Sequence, residues 1–274
     1  ALWPKQAGLA LLMSRMYRAL PKEYRFYPQT WVLPTEMTDF RAEFGANGKS
    51  ESIFIVKPDA GCQGRGIFLT KKVESVAELP GKAVAQRYLP NPLLIDGYKF
   101  DLRLYVLVTS VNPMRIFLFD DGLVRICTER YQPPTASNIN NSCMHLTNYS
   151  VASNFTSDDT GDSGFKRSLH WFRRWLQEQG HDGSVVWARL ADACVKTLLS
   201  VGPLLRRECA FANLGNGLFS SREGSSGGKG DGYKSPPYSP PPRSTCFTIV
   251  GMDLMVDEQL EPWIIEINHL PSFR

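Results

Sequence analysis

The chain has 274 residues, 43% of them hydrophobic, enough for one large domain or two ordinary ones around a sizeable core, so global disorder is excluded. Its 31 basic and 27 acidic side chains leave a net charge of +4, too small an excess to mark a nucleic-acid binder. No apolar run is long enough to span a membrane, so neither nucleic acid nor membrane is expected as a partner.

The chain opens without an initiator Met, which reads as an excerpt of a longer protein. The stretch GLALLM (8–13) reads as helix, not as a signal peptide. Apolar Leu9, Leu12, Met13 and Met16 place a helix over 7–20, ended by Pro21. Tyr24 to Glu36 is aromatic and proline-punctuated, an extended segment laid along a core. Two strands, Ser52–Lys57 and Gly66–Thr70, flank the loop Pro58–Arg65, and a third covers Ala83–Tyr88. Phe100–Val108 and Arg115–Phe119 read as a buried antiparallel pair. An Asp-Asp-Gly turn at 120–122 then leads into a strand over Gly122–Cys127. Helices follow over Ser168–Gln179 and Val185–Leu199, carrying Trp171, Trp175 and Leu176, then Val186, Leu190, Cys194 and Leu198. Gly202-Pro203 predicts a break, with helix resuming to Phe211.

Residues 220–244 hold 7 Ser, 5 Gly and 5 Pro and no Ile, Leu, Val, Met or Phe. Such a segment buries too little apolar area to offset its ordering entropy, so a disordered insertion is expected at about 215–245. It reads as a spacer, with SPPYSPPP as a candidate phosphorylation or partner segment. The six cysteines (Cys62, Cys127, Cys143, Cys194, Cys209, Cys246) form no CxxC and read as reduced cytosolic thiols. His145, His170, His181 and His269 form no zinc-binding pair. There are no internal repeats, and nothing suggests an oligomer, so a monomer is expected.

Three places carry chemistry. The first is Lys57-Pro-Asp-Ala-Gly61-Cys-Gln-Gly64-Arg65-Gly66, a lysine at a strand end followed by three glycines in six residues. Such a loop can bring backbone amides against phosphate oxygens. It is not a Walker A loop, since Ile67 sits where lysine is required. It is not a Rossmann fingerprint either, since a strand follows it. Taken alone, a solvated hairpin tip is the simpler reading.

The second is Lys99-Phe-Asp101-Leu-Arg103-Leu, which alternates strictly, with Lys99, Asp101 and Arg103 on one face. The strand runs on into YVLV, so three charges at the entrance of a core need partners, which favours a lined cleft. The fork of Arg103 suits a phosphate.

The third is GMDLMVDEQLEPWIIEIN (251–268), two apolar strands around a polar turn. A turn centred between Gln259 and Leu260 places Asp253 opposite Glu266, with Asn268 on the same face. Two carboxylates and an amide oxygen form a hard-oxygen set suited to Mg²⁺. The alternative is a strand pair with polar residues turned to solvent.

Together these features resemble an ATP-grasp enzyme, and more narrowly the tubulin–tyrosine-ligase-like family, on its polyglutamylase branch. The matching blocks are KPDAGCQGRGIFL (57–69), QRYLPNPLLIDGYKFDLRLYVLV (86–108), GLVRICTERY (122–131), MHLTNYS (144–150) and GMDLMVDEQLEPWIIEINHLPSF (251–273), with TWVLPTE (30–36) as the approach to a lid.

The resemblance implies an α+β ATP-grasp fold of antiparallel sheets with flanking helices and a small lid domain. A truncated N-terminal region would cover 1–49, a central lid domain 50–89 and a C-terminal domain 90–274. It implies ATP and Mg²⁺ as cofactors. Lys57 would meet ATP phosphates, with the backbone of Gln63, Gly64, Arg65 and Gly66 closing over them. Gln86, Arg87, Tyr88 and Leu89 would meet adenine. Lys99, Phe100 and Asp101 would hold the nucleotide, Arg103 the transferring phosphate, and Thr147 and Asn148 the nucleotide site. Asp253, Glu266 and Asn268 would bind the metal.

Arg125 would take the carboxylate of free L-glutamate, with Tyr149, Ser150 and Lys166 beside it. The activity implied is ATP-dependent addition of glutamate to glutamate side chains of acidic tubulin tails through an acylphosphate. Tubulin or the microtubule would be the partner, and cytoplasm, cytoskeleton, cilium or basal body the setting. The alternatives are a same-family ligase adding glycine or acting on another acidic protein, and a non-catalytic microtubule-binding protein with a degenerate ATP site.

Overall fold

The computed structural model describes residues 3–45, 48–59, 66–77, 79–147, 165–219 and 247–272. The chain is α+β, built on two antiparallel sheets. Of the insertion expected at about 215–245, residues 215–219 are instead the end of a helix that runs to Phe219, and 220–245 lie outside the described residues.

The smaller sheet comes from the first third of the chain. Helix α1 (Gln6–Ala19) leads to strand β1 (Thr30–Leu33), helix α2 (Met37–Arg41), strands β2 (Lys49–Pro58) and β3 (Phe68–Lys72), the short helix α3 (Glu74–Ala77) and strand β4 (Ala83–Arg87). The strands lie in the order β1-β4-β2-β3. Aromatic rings fill the space under this sheet. Phe54 and Phe40 are fully buried, their ring centres 5.0 Å apart, and Trp31 sits 5.4 Å from Phe40. Period-2 alternation along β2 turns Phe54 and Val56 into that core and leaves Ile55 and Lys57 on the opposite face.

The larger sheet takes the rest. Strands β5 (Leu94–Ile95), β6 (Tyr98–Val111) and β7 (Met114–Arg130) precede helix α4 (Ser142–His145), strand β8 (Lys166–Ser168), helices α5 (Leu169–Glu178) and α6 (Gly183–Phe219), and the hairpin β9 (Thr248–Val256) and β10 (Pro262–His269). Its order is β10-β9-β6-β7-β8, with β5 paired to β6. Phe100, Leu102, Leu104, Val106 and Val108 of β6 pack against Leu169, Phe172 and Leu176 of α5 and Leu190 and Leu198 of α6. The apolar side of the predicted alternation is therefore the core face.

Two local expectations are corrected. Residues 120–122 are not a hairpin turn, because β7 runs on through them as one strand of 17 residues. Between the pairs Leu104↔Gly122 and Val106↔Leu118, three residues of β7 oppose one of β6, a bulge. The aspartates have other work. The Asp121 carboxylate accepts from the backbone N–H groups of Leu169 and His170 at the start of α5, and Asp120 pairs with Arg173.

Gly202-Pro203 does not break the second helix either. α6 continues through Pro203. A proline inside a helix costs about 3 kcal/mol. Leu198, Val201 and Leu205, all at most 1% exposed, bracket it and hold the helix on the sheet. Burying a side chain of this kind is worth about 1.5–3 kcal/mol, so three outweigh the proline.

Candidate functional site

A cleft with a cavity volume of about 70 Å³ opens between the two sheets. Ile55, Lys57 and Gln86 line it from the smaller sheet. Lys99, Asp101, Asp253, Met255 and Glu266 line it from the larger one, and Tyr88, His145 and Thr147 line it as well.

Lys57 is only 4% exposed. Its ammonium donates to Gln86 Oε1 (2.9 Å) and to the Ile265 carbonyl (3.3 Å). Gln86 in turn donates to Thr30 Oγ1 (2.9 Å), so a neutral chain orients the lysine. Burial pulls the Lys57 pKa down to about 8, against the opposing charge of Glu266. Gly66, at the far end of the loop, has φ +75°, a left-handed conformation that favours glycine. Gln63, Gly64 and Arg65 lie outside the described residues.

The hairpin sets Asp253 directly across from Glu266. This pairing depends on a bulge. Ile264 pairs with Leu254, and the next pair is Glu266 with Asp253, so Ile265 is the extra residue. Without it, Ile265 would face Asp253. The same bulge presents the Ile265 carbonyl to Lys57. Asn268 bridges the carboxylates, donating from Nδ2 to Glu266 Oε1 (2.9 Å) and Asp253 Oδ2 (3.2 Å).

The two carboxyls differ in proton affinity. Burial raises Asp253, but the Arg125 and Arg103 guanidiniums overcome it and hold the group at about 2. Burial and then the nearby Asp253 charge lift Glu266 to about 6. Both are ionised at neutral pH and face the same cleft.

Behind them lies a compact ion cluster. Arg103 grips Asp253 with Nε and with Nη2 (2.9 Å). Arg125 grips Asp101 with Nε and Nη2, both at 2.6 Å, and reaches Asp253 Oδ2 at 2.8 Å. Thr147 Oγ1 donates to Asp101. Gly251 lets Arg103 pass, since a Cβ there would sit 2.8 Å from Arg103 Cδ.

Lys99, 6% exposed, donates to Tyr88 Oη (2.9 Å) and the His145 carbonyl (2.8 Å), and lies over the Tyr88 ring at 4.4 Å.

Some anticipated residues sit elsewhere. Phe100 faces away from the cleft, 1% exposed and 5.3 Å from the Phe172 ring, because it alternates with Lys99 and Asp101. The Arg87 guanidinium turns from Gln86 to Ser52 and Glu43, so only the rest of that residue borders the cleft with Leu89. Lys166 pairs with Arg125 across β7 and β8, its pKa lowered by burial and then by Arg125. Asn148, Tyr149 and Ser150 lie outside the described residues.

Two residues were not anticipated. Gln6, in the first turn of α1, donates from Nε2 to Glu266 Oε2 at 2.9 Å. No local pattern could have paired positions 260 apart. His145 stands in the MHLTNYS block but carried no signal of its own.

Among the described residues no group of three or more His, Cys, Asp or Glu could hold a metal ion. The set of two carboxylates and one amide still fits Mg²⁺, which uses one or two protein carboxylates and completes its shell with water and phosphate. A buried lysine and paired carboxylates around one cleft can neutralise a polyphosphate with its cation.

A family model described as the tubulin-tyrosine ligase family matches residues 5–213 and 233–274. A Danio rerio protein named tubulin polyglutamylase ttll6 is 42% identical over 271 residues, 97% of this chain and 31% of that protein. A Tetrahymena thermophila protein named probable beta-tubulin polyglutamylase is 40% identical over 274 residues, 97% of this chain and 21% of its own. The human tubulin polyglutamylase TTLL13 is 39% identical over 272 residues, 97% and 30%. The chain thus spans about a third or less of the length of these curated relatives.

Proposed function

The chain belongs to the tubulin-tyrosine ligase family, and we propose that it carries the nucleotide and metal site of an ATP-dependent ligase that adds glutamate to glutamate side chains in acidic tubulin tails. Relatives named as tubulin polyglutamylases support glutamate and tubulin as substrates. One observation supports the chemistry above all others. Lys57, Asp253 and Glu266 line one cleft from strands distant in sequence, and Asn268 bridges the two carboxylates. The antiparallel α+β architecture fits an ATP-grasp enzyme, with residues 50–89 as its lid domain and 90–274 as its C-terminal domain.

A carboxylate is a poor acyl donor because its leaving group would be oxide. The γ-phosphoryl of ATP passes to a carboxylate oxygen of the acceptor glutamate, and ADP leaves. The amine of the incoming glutamate then attacks the acyl carbon, phosphate departs and the amine loses a proton. Asp253, Glu266 and Asn268 would hold Mg²⁺, which offsets the charge of the phosphates when bound. Lys57 and Lys99 provide fixed positive charge for the nucleotide, and Thr147 borders it. Arg103 would face the transferring phosphoryl group and Arg125 the free glutamate carboxylate, with Lys166 as its neighbour. Gln63, Gly64, Arg65, Asn148, Tyr149 and Ser150 complete the proposed site from outside the described residues. A cytoskeletal setting follows from the substrate.

The test incubates the protein with Mg-ATP, labelled glutamate and microtubules beside a Glu266→Gln variant. Label entering tubulin with the wild type alone is expected. No transfer by a protein that still binds ATP rejects glutamate ligation to tubulin.

A further inference from the structure

Lys99 is a buried ammonium whose hydrogen bonds run to neutral acceptors, the Tyr88 hydroxyl and the His145 carbonyl. Its charge is therefore not cancelled at close range by a bonded carboxylate, and it borders the cleft. The bond to Tyr88 has a direction. Lys99 has only protons to give, so the Tyr88 oxygen must accept and its own proton must go elsewhere. The second neighbour of that oxygen is His145 Nδ1, at 3.3 Å. The imidazole's other nitrogen, Nε2, lies 3.1 Å from the Asn138 carbonyl, which can only accept. Nε2 therefore carries the proton, and Nδ1 is left as the acceptor for Tyr88. The sequence Lys99→Tyr88→His145→Asn138 is satisfied with a neutral imidazole, while the Tyr131 hydroxyl, also against Tyr88, gives its own proton to the Pro90 carbonyl at 2.6 Å.

We propose that His145 is a positioning residue for Lys99: through the Tyr88 hydroxyl, its neutral ring aims the lysine ammonium at an anionic ligand in the cleft, so that acidification weakens nucleotide binding. This inference rests on the nucleotide reading of the cleft. Protonating Nδ1 turns two donors onto the Tyr88 oxygen and forces the phenol's own proton away from His145, toward the Tyr131 hydroxyl. It also places a second cation beside Lys99.

The titratable groups around the ring are few. Tyr88 follows β4 and Tyr131 follows β7, each with its ring centre 5.9 Å from the imidazole. Lys99 comes from β6. Cys127 of β7 donates to the carbonyl of neighbouring Leu146 (3.5 Å), its thiol pushed up to about 12 by burial. Burial raises both phenols as well, and it pulls the Lys99 pKa down, against the opposing influence of Cys127, Tyr131 and Asp101. Burial, and then Lys99, depress the imidazole pKa, which agrees with the neutral tautomer that the geometry requires.

Asparagine places an oxygen near the position of Nδ1 and cannot take up a proton. ADP affinity would be measured by calorimetry at pH 7.5 and 5.5 for wild type, His145→Asn, His145→Leu and Lys99→Met. ADP's own phosphate titration is common to all four and cancels in ratios. Wild type should lose about fivefold more affinity on acidification than His145→Asn. His145→Leu, which removes the acceptor, should bind about tenfold more weakly at both pH values. Equal pH dependence in wild type and His145→Asn, with Lys99→Met impaired, overturns the role of His145 alone. Unchanged affinity in Lys99→Met overturns the nucleotide reading itself. Nitrogen NMR of the wild type gives a check that needs no variant. The Nε2–H tautomer is expected at neutral pH, and the Nδ1–H tautomer contradicts the proposal.

Discussion

Replacing Asp253 by asparagine should destabilise the fold by about 2 kcal/mol, apart from any effect on ligand binding. Asp253 is 1% exposed, and Asp101, Arg103, Arg125 and Asp253 form an alternating cluster with no net charge. Asp253→Asn leaves two buried guanidiniums sharing the Asp101 charge. Breaking a buried ion pair costs about 3–5 kcal/mol. The retained amide oxygen still accepts one charged hydrogen bond, which returns about 1.5–3 kcal/mol. The balance lowers the urea midpoint by on the order of 1 M. Arg103→Gln and the double variant complete a cycle. Because Arg103 holds Asp253 with two bonds, the coupling should be about 1–3 kcal/mol. Additivity within about 0.5 kcal/mol would refute the claim that this pair organises the site.

Two further outcomes follow from the cleft. Gln6→Ala removes a neutral donor that orients Glu266 without competing with a cation, so Mn²⁺ affinity should fall about tenfold while the melting temperature holds. An unchanged Mn²⁺ titration refutes this. Asp257 accepts from Gln259 N, Glu261 N and Trp263 Nε1 at 2.8–3.0 Å, which pins the β9–β10 turn. Asp257→Ala should cost about 1–3 kcal/mol and weaken Mn²⁺ binding by loosening the register, and calorimetry beside the metal titration checks both.

The alternation of β6 was legible because period 2 is a local property. Lys99, Asp101 and Arg103 share one face, of which Lys99 and Asp101 line the cleft, and Phe100, Leu102 and Leu104 share the core face, so Phe100 leaves the site. The facing of Asp253 and Glu266 was also legible, although the symmetric turn assumed for it is not how it arises. The hairpin starts one residue out of that register, and the bulge at Ile265 restores it. A bulge has no composition signal in PWIIEIN. The Asp-Asp-Gly at 120–122 misled because turn propensity is a local preference. The start of α5, packed nearby in three dimensions, uses Asp121 instead. Pro203 misled for the same reason, since the burial that offsets it comes from the sheet beneath. Gln6 and His145 act through partners far away in sequence, at Glu266 and Lys99, so no window on the chain contains the relationship.

The most direct test of the central claim, a Mg²⁺–nucleotide site built by Lys57, Asp253, Glu266 and Asn268, is a Mn²⁺ titration followed by electron paramagnetic resonance. It would be run with and without ADP on wild type and Glu266→Gln. The account predicts a site strengthened by ADP and weakened at least about tenfold in the variant. Mn²⁺ binding that ignores both ADP and the substitution would contradict it.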